Sequence, residues 1–184
     1  MTNDRNRICP VEGAGALDSK VRLWFQNPEK ILRPYVKTGM TVLDVGCGPG
    51  FFSLPLALLV GENGRVISAD LQVGMLQRLK EKIEGTELDR RIVPVQCGRD
   101  SLNVSTTVDF ALAFYMVHEV PDKARFFQQM RSIVRDGGQV LFVEPKLFHV
   151  SRTDFNSSLA LARTAGFGIA GGPRLPFSWS AVLN

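Results

Sequence analysis

The eight-residue stretch at positions 43–50, LDVGCGPG, constrains the fold of this chain more than any other feature. The apolar run at residues 40–45 predicts a buried strand, and a helical pattern begins at Phe51. Glycines at 46, 48 and 50 permit the positive φ angles of a tight strand-to-helix turn and let a ligand approach the backbone. Because the following helix presents unpaired N–H groups at the same place, we expect a ligand there.

The spacing of these glycines distinguishes between kinds of nucleotide site. A dinucleotide fingerprint reads G-x-G-x-x-G, whereas this loop reads G-x-G-x-G and has Phe51 at the third glycine position. A phosphate-binding P-loop would need Gly-Lys-Ser/Thr, which the loop lacks. With Asp44 before the loop and Asp70 beyond it, the segment resembles motif I of the class I S-adenosylmethionine-dependent methyltransferases.

The order of predicted elements indicates an α/β fold. Strands with near-continuous apolar runs alternate with helices, which predicts a mainly parallel sheet covered on both faces. The predicted strands are residues 40–45, 65–70, 91–96, 108–114 and 139–143, and the predicted helices are 29–36, 51–60, 72–84, 121–134 and 153–165. Two late strands, at 167–170 and 177–183, are expected to pair antiparallel. The resemblance implies a Rossmann-like, doubly wound, seven-stranded sheet with a reversed last strand.

The length of 184 residues fits one domain. We expect residues 27–184 to form an S-adenosylmethionine-binding methyltransferase domain, and residues 1–26 to form an N-terminal segment. A short helix is expected near residues 19–25, where an apolar cluster has no place in the sheet. Residues 8–26 are interpreted as a mobile cover over the ligand, or as helices that pack on the sheet edge.

Composition restricts the setting and the partners. The chain has no apolar run near the roughly 18 residues of a membrane span, and its polar N-terminus lacks the apolar core of a secretory signal, so a cytoplasmic protein without membrane contact is expected. Three widely separated cysteines and two histidines indicate neither a disulfide framework nor a metal site. A net charge of +4 without a long basic run disfavours a nucleic-acid partner.

Asp70 ends the second predicted strand, twenty positions after Gly50. A carboxylate there can accept hydrogen bonds from both vicinal hydroxyls of a ribose, one on each oxygen. The ordinary structural alternative is a cap for the helix that begins near residue 72. An NAD site would use the same acid, so the glycine spacing and not Asp70 favours S-adenosylmethionine as the cofactor.

Other cofactor contacts follow from the resemblance. Asp44 lies within an apolar strand and needs a partner; the family uses this acid to orient the loop and to contact the cofactor ammonium, and support of loop N–H groups is the alternative. Leu71 and Met75 would sandwich the adenine, although Met75 also suits the core. Asp100 would accept from the adenine amino group or be a solvated loop acid, since Arg99 interrupts the usual Gly-Asp. The full expected set is Asp44, Gly46, Cys47, Gly48, Gly50, Asp70, Leu71, Met75, Asp100 and Phe114.

The acceptor side is defined mainly by exclusion. Phe114-Tyr115-Met116-Val117 follows the fourth strand in place of the Asn/Asp-Pro-Pro-Tyr/Phe of enzymes that methylate exocyclic amines in nucleic acid, and no Pro-Cys pair is present. The remaining resemblance is to the branch that acts on small molecules, including quinone precursors. His118, with Glu119, is expected to be the general base or a substrate-positioning group. Shaping the start of the next helix is the alternative role.

Two functional hypotheses remain. The first is an enzyme that transfers a methyl group from S-adenosylmethionine to a small-molecule acceptor through an O, N or C nucleophile. The second is a regulatory protein that binds S-adenosylmethionine without catalysis. A nicotinamide-dependent dehydrogenase is disfavoured, because both G-x-G-x-x-G and a Tyr-x-x-x-Lys pair are absent. The acceptor and the oligomeric state stay open.

Overall fold

The computed structural model describes residues 26–146 and 150–184. The chain alternates strands and helices, and two short 3-10 turns, Glu87–Arg90 and Val117–Glu119, lie between them. The helices are α1 (Pro28–Leu32), α2 (Ser53–Val60), α3 (Val73–Ile83), α4 (Lys123–Ile133) and α5 (Arg152–Thr164). The strands are β1 (Thr41–Val45), β2 (Arg65–Asp70), β3 (Ile92–Gln96), β4 (Val108–Phe114), β5 (Val134–Pro145), β6 (Ile169–Gly171) and β7 (Ser178–Leu183).

All seven strands form one sheet in the order β3-β2-β1-β4-β5-β7-β6. The first five strands pair in parallel, whereas β7 runs antiparallel to both β5 and β6. The predicted seven-stranded sheet with a reversed last strand is therefore confirmed. Because the chain reverses direction across the sheet between β1 and β4, a crevice forms beyond the carboxyl ends of these strands.

Two hydrophobic clusters cover the two faces of the sheet, which explains the apolar runs in the central strands. In α3 the four apolar residues predicted to share one face, Met75, Leu76, Leu79 and Ile83, are all buried. On the opposite face, α4 and α5 bury phenylalanines against the sheet. Burial of apolar area on both faces is the main stabilising contribution in such a fold.

Several predicted boundaries need correction. Helix α1 ends at Leu32, four residues before the predicted end at Val36. Helix α4 excludes Pro121 and starts after Asp122, whose side chain caps it by accepting from the Arg125 N–H. The helix is followed directly by β5, which begins at Val134 and not at the predicted Gln139. The first part of β5 pairs irregularly with β4. The register shifts between the first pair, Val108 with Val134, and the second, Phe110 with Gln139.

The predicted helix near residues 19–25 and nearly all of the predicted cover at 8–26 lie outside the described residues. Gln26 is described, and it is buried. Within residues 26–146 and 150–184, every helix is too short or too polar to cross a membrane.

Candidate active site

The glycine loop after β1 is a tight turn tied to the neighbouring strand. The N–H groups of Gly46 and Cys47 both donate to the carbonyl oxygen of Ala69, at 2.8 and 3.1 Å. Gly46, Gly48 and Gly50 have φ angles of +69°, +54° and +94°. At all three positions a side chain would be strained, because the left-handed region favours glycine.

Close packing adds a second reason for glycine at two of these positions. A Cβ atom on Gly46 would lie 2.8 Å from Cβ of Met116, and one on Gly50 would lie 2.5 Å from Cδ1 of Leu79. The loop is therefore in contact with the segment after β4 as well as with α3. The prediction of a tight strand-to-helix turn at the tip of β1 is confirmed.

Asp70 ends β2 and is 8% exposed. Its Oδ2 accepts from the Gly48 N–H at 2.9 Å, and its Oδ1 accepts from the Gln72 N–H at 2.8 Å. Burial raises the pKa of this carboxyl, and the backbone N–H groups of Gln72, Gly48 and Leu71 act in the opposite direction. A carboxylate has about four lone-pair sites, so the group retains acceptor capacity for a further donor beyond these backbone N–H groups.

The helix-cap alternative for Asp70 is only partly met. The residue at the N-cap of α3 is Gln72, which makes no side-chain cap hydrogen bond. Asp70 instead fixes the two backbone segments that enclose the crevice, the loop after β1 and the start of α3.

Asp44 lies in β1 and is 2% exposed. Its Oδ2 accepts from Ser53 Oγ at 2.6 Å, and Ser53 in turn accepts from Ser68 Oγ at 2.9 Å. Both serines are fully buried, so this row of hydrogen bonds joins β1, α2 and β2. Sequence reasoning required a partner for Asp44 but did not identify either serine, although a serine within an apolar run is a usable signal.

Three further predicted cofactor residues flank the crevice with different degrees of burial. Cys47 is buried, and its burial, with the charges of Asp44 and Asp70, raises the pKa of its thiol well above the ordinary value, so the thiol stays protonated. Met75 is also buried, at 2% exposure, whereas Leu71 is half-buried. Burial first and the charge of Asp70 second raise the pKa of the Cys97 thiol to about 11.

The structure does not bring the Asp100 side chain into this buried group. Asp100 is exposed, and its backbone carbonyl accepts from Gln129 Nε2 at 3.0 Å. The oxygen of the same Gln129 amide accepts from the Leu102 N–H at 3.0 Å. Helix α4 therefore fixes the loop after β3 through its backbone.

Aromatic residues line the end of β4. Phe114 is buried, and its ring centroid lies 4.5 Å from that of Phe52 and 4.6 Å from that of Tyr115. Tyr115 has a φ angle of +60°, which is costly for a residue with a side chain. Its hydroxyl is 2.5 Å from Ser178 Oγ and accepts from Gln26 Nε2 at 2.9 Å, so it joins β4 to β7 and to the start of the described chain.

His118 lies in the 3-10 turn after β4 and is held by a residue that sequence reasoning did not identify. Its Nδ1 is 2.5 Å from Glu144 Oε2, and its backbone N–H donates to Glu144 Oε1 at 3.2 Å. Glu144 lies at the end of β5 and is 2% exposed. Glu119 is less close, since its Oε1 is 3.9 Å from His118 Nε2, which exceeds hydrogen-bond length. A glutamate inside the apolar run VLFVEP was the available signal for Glu144.

The described ranges contain no group of three or more His, Cys, Asp or Glu side chains arranged to hold a metal ion. An open α/β sheet with a glycine turn at the tip of one central strand and a carboxylate at the tip of the next defines a nucleotide-type cofactor-binding domain.

Comparison with known proteins identifies the family. A model of the methyltransferase domain matches residues 36–165, which is more than half of the chain. The chain belongs to this methyltransferase family, and the predicted membership of the class I S-adenosylmethionine-dependent methyltransferases is confirmed.

Relatives and a solved structure agree with this assignment. The chain is 32% identical over 111 residues to a demethylmenaquinone methyltransferase of Desulfitobacterium hafniense, a match that covers 59% of this chain and 43% of the relative. It is 31% identical over 123 residues to the enzyme of that name from Bacillus mycoides, with 67% of this chain and 51% of the relative covered. The chain thus spans about half the length of the curated relatives it matches.

The fold is shared with a solved structure described as a SAM-dependent methyltransferase from Aquifex aeolicus. The two have a TM-score of 0.83 at 22% sequence identity, and the match covers 96% of this chain and 98% of that one.

Proposed function

We propose that this protein transfers a methyl group from S-adenosylmethionine to a small-molecule acceptor. The observation that carries the proposal is the contact between the glycine loop and Asp70, 2.9 Å from the Gly48 nitrogen to Oδ2. The contact brings a glycine turn with positive φ angles and a buried carboxylate together at the crevice. Family membership supports the same reaction.

The residues present fit this cofactor. Asp70 is a buried acceptor held towards the crevice by the Gly48 and Gln72 N–H groups, and we assign its remaining lone-pair capacity to the ribose hydroxyls. At Gly48 no side chain of the loop itself keeps a ligand from the backbone. We assign Asp44 to the ammonium end through the loop, Leu71 and Met75 to the adenine, and Phe114 to the end of the site nearest the acceptor. Asp100 remains a proposed adenine contact, although its side chain is exposed.

S-adenosylmethionine supplies an electrophilic methyl group on a sulfonium. The protein's contribution to such an in-line displacement is mainly to hold the acceptor atom close and aligned, which is worth up to about 7–11 kcal/mol in favourable cases. The buried aromatic wall at Phe114 and the strained backbone at Tyr115 suit this positioning role.

We infer that the acceptor is a small aromatic ring with an ionisable hydroxyl. The aromatic side chains at the end of β4 offer a flat apolar surface for a ring. His118 and Glu119 follow on the same side, where we place the proton-accepting and substrate-positioning groups. The matched relatives carry the name demethylmenaquinone methyltransferase, which is consistent with a ring acceptor of this kind.

The competing function is a regulatory protein that binds S-adenosylmethionine without catalysis. The experiment that decides between them combines titration calorimetry with S-adenosylmethionine and an assay with donor labelled in its methyl group. Phenols and hydroquinones serve as acceptors, and label is counted in the organic extract. Binding with label transfer supports the enzyme, binding without transfer supports the regulatory protein, and no binding overturns both.

A further inference from the structure

The pair formed by His118 and Glu144 joins two elements that meet at the carboxyl edge of the sheet. Glu144 comes from the end of β5, and His118 from the turn after β4. The carboxylate contacts His118 twice, at the backbone N–H and at ring Nδ1. Two contacts to one residue fix both the position of the turn and the orientation of the imidazole ring.

This pair is adjacent to the crevice. Met116, two residues before His118, packs against Gly46 so closely that a Cβ atom there would lie 2.8 Å from the Met116 Cβ. On the other side, the Tyr115 N–H donates to the carbonyl oxygen of Val143 at 2.8 Å, next to Glu144. The turn that carries His118 is thus fixed between the glycine loop and β5.

The contact also selects a tautomer. A carboxylate can only accept hydrogen bonds, so the Nδ1 atom that faces it carries the proton. In the neutral ring the basic lone pair is then on Nε2. Glu144 is 2% exposed, so little solvent competes for its oxygens.

We propose that Glu144 is a positioning residue that holds His118 with its Nε2 as proton acceptor for a weakly acidic aromatic hydroxyl. This inference rests on the proposed methyl transfer and adds the substrate class and a second residue to it. Two carboxylates face the ring, Glu144 at Nδ1 and Glu119 near Nε2. The hydrogen bond between Nδ1 and Glu144 persists when Nε2 takes the proton, because both ring nitrogens are then donors.

The step balances as follows. The acceptor O–H gives its proton to His118 Nε2, and an oxygen lone pair forms the new bond to the methyl carbon. The bond between that carbon and sulfur breaks, and its electron pair stays on sulfur, which becomes a neutral thioether. The imidazolium, stabilised by Glu144, later releases its proton to solvent.

The tautomer is measured first, in the wild-type protein. The sequence contains two histidines, His118 and His149, so long-range ¹H–¹⁵N correlation spectra give two ring patterns, and His149→Gln assigns them. At a pH where the ring is neutral, His118 is expected to show the Nδ1-protonated form. A dominant Nε2-protonated form would overturn the proposal without any variant at position 144.

The catalytic role is measured with Glu144→Gln, since glutamine has the shape of glutamate but carries no charge and has only one acceptor oxygen. Glu87→Gln is the control, because it removes an exposed carboxylate in the 3-10 turn between α3 and β3, away from the proposed site. With catechol as acceptor we expect kcat to fall by about 10²- to 10⁴-fold in Glu144→Gln. KM for S-adenosylmethionine should change less than threefold. Glu87→Gln should leave kcat within twofold of the wild-type value.

A second acceptor separates proton transfer from structural support. With 4-nitrocatechol, which is already ionised at pH 8, the loss in Glu144→Gln should shrink to less than tenfold. Equal losses on both acceptors would reduce Glu144 to a structural residue and overturn the proposal. His118→Gln should show the same difference between acceptors, which keeps the test decisive if the Glu144 variant does not fold.

The outcomes also distinguish this inference from the proposed function. Wild-type protein that does not bind S-adenosylmethionine contradicts the proposed function itself. Binding with methyl transfer that does not depend on Glu144 or His118 leaves the proposed function intact and overturns the roles proposed for these two residues. Binding without transfer to either catechol contradicts the assigned substrate class.

Discussion

The Gly48 N–H donates a hydrogen bond to Oδ2 of Asp70 at 2.9 Å, so the loop after β1 and the end of β2 form one unit. The shape of the loop therefore depends on the carboxylate that is also assigned to the ribose. A change at either residue should affect cofactor binding, even where it leaves the rest of the sheet intact.

The pH dependence of cofactor affinity tests the charge on Asp70. Burial raises the pKa of this carboxyl, so it takes up a proton at higher pH than an ordinary aspartate. Ribose hydroxyls donate to the ionised form, and binding should therefore weaken as pH falls from 7 towards 5. Titration calorimetry across this range measures the change, with circular dichroism to confirm that the fold persists.

The matched variant for this experiment is Asp70→Asn, which has no carboxyl to titrate. Its affinity should be lower at pH 7 and nearly constant towards pH 5. The stability of the free protein should depend on pH in the opposite direction: a raised pKa in the folded state means that this group's contribution to stability is present at low pH and is lost as pH rises through that pKa. Identical pH profiles in the two proteins would exclude Asp70 from the binding equilibrium.

Alanine at Gly48 should affect binding more than folding. Gly48 and Gly85 both have positive φ angles, +54° and +70°, so alanine costs about 1 kcal/mol of stability at either position. A Cβ atom on Gly85 meets nothing within 4 Å, which makes Gly85→Ala the matched control for backbone strain. We expect similar denaturation midpoints, but at least tenfold weaker S-adenosylmethionine binding in Gly48→Ala alone. Equal affinities would place the cofactor elsewhere.

Ser53 and Ser68, which form a row of hydrogen bonds to Asp44, should contribute unequally to stability. Ser53 donates directly to the buried carboxylate, so Ser53→Ala should reduce the free energy of unfolding by about 1.5–3 kcal/mol. Ser68 donates only to Ser53, a neutral group, and Ser68→Ala should cost about 0.5–1.5 kcal/mol. Urea denaturation of both variants gives the comparison. A larger loss in Ser68→Ala would reverse the assigned order.

Much of the fold could be predicted because local signals and tertiary packing agree. The predicted bounds of β2 and β4 match those observed, since apolar residues rich in valine, isoleucine and phenylalanine lie between clear turn signals in both. The junction between α4 and β5 was harder to predict. Asp136-Gly137-Gly138 has the sequence of a helix end, but β5 has already begun at Val134, whose pairing with Val108 is a long-range contact.

The candidate site was predictable where one segment carries the whole signal. The glycine loop and Asp70 are examples, because a strand end, glycines and a carboxylate follow each other in sequence. The partners of Asp44 and His118 depend on which strands become neighbours, and spacing alone does not give that. Glu144 is 26 positions from His118 and meets it only because β5 lies beside β4.

Residues 8–26 are proposed to cover the bound cofactor. Gln26 at the end of this segment is buried and donates to the Tyr115 hydroxyl, which links it to the acceptor side. Hydrogen exchange measured by mass spectrometry should slow in peptides from residues 8–26 when S-adenosylmethionine is added. The effect should be smaller in Tyr115→Phe, which lacks the acceptor for Gln26. Unchanged exchange in the wild-type protein would contradict the cover.

Affinity for S-adenosylmethionine, measured by titration calorimetry on the wild-type protein and on Asp70→Ala, tests the central claim most directly. The wild-type protein should bind S-adenosylmethionine and its demethylated product more tightly than NAD. Loss of the ribose hydrogen bonds to a charged group should cost about 1.5–3 kcal/mol, which weakens binding in Asp70→Ala by about 10- to 150-fold. Equal affinity in the two proteins, or preference for NAD, would contradict the assigned site.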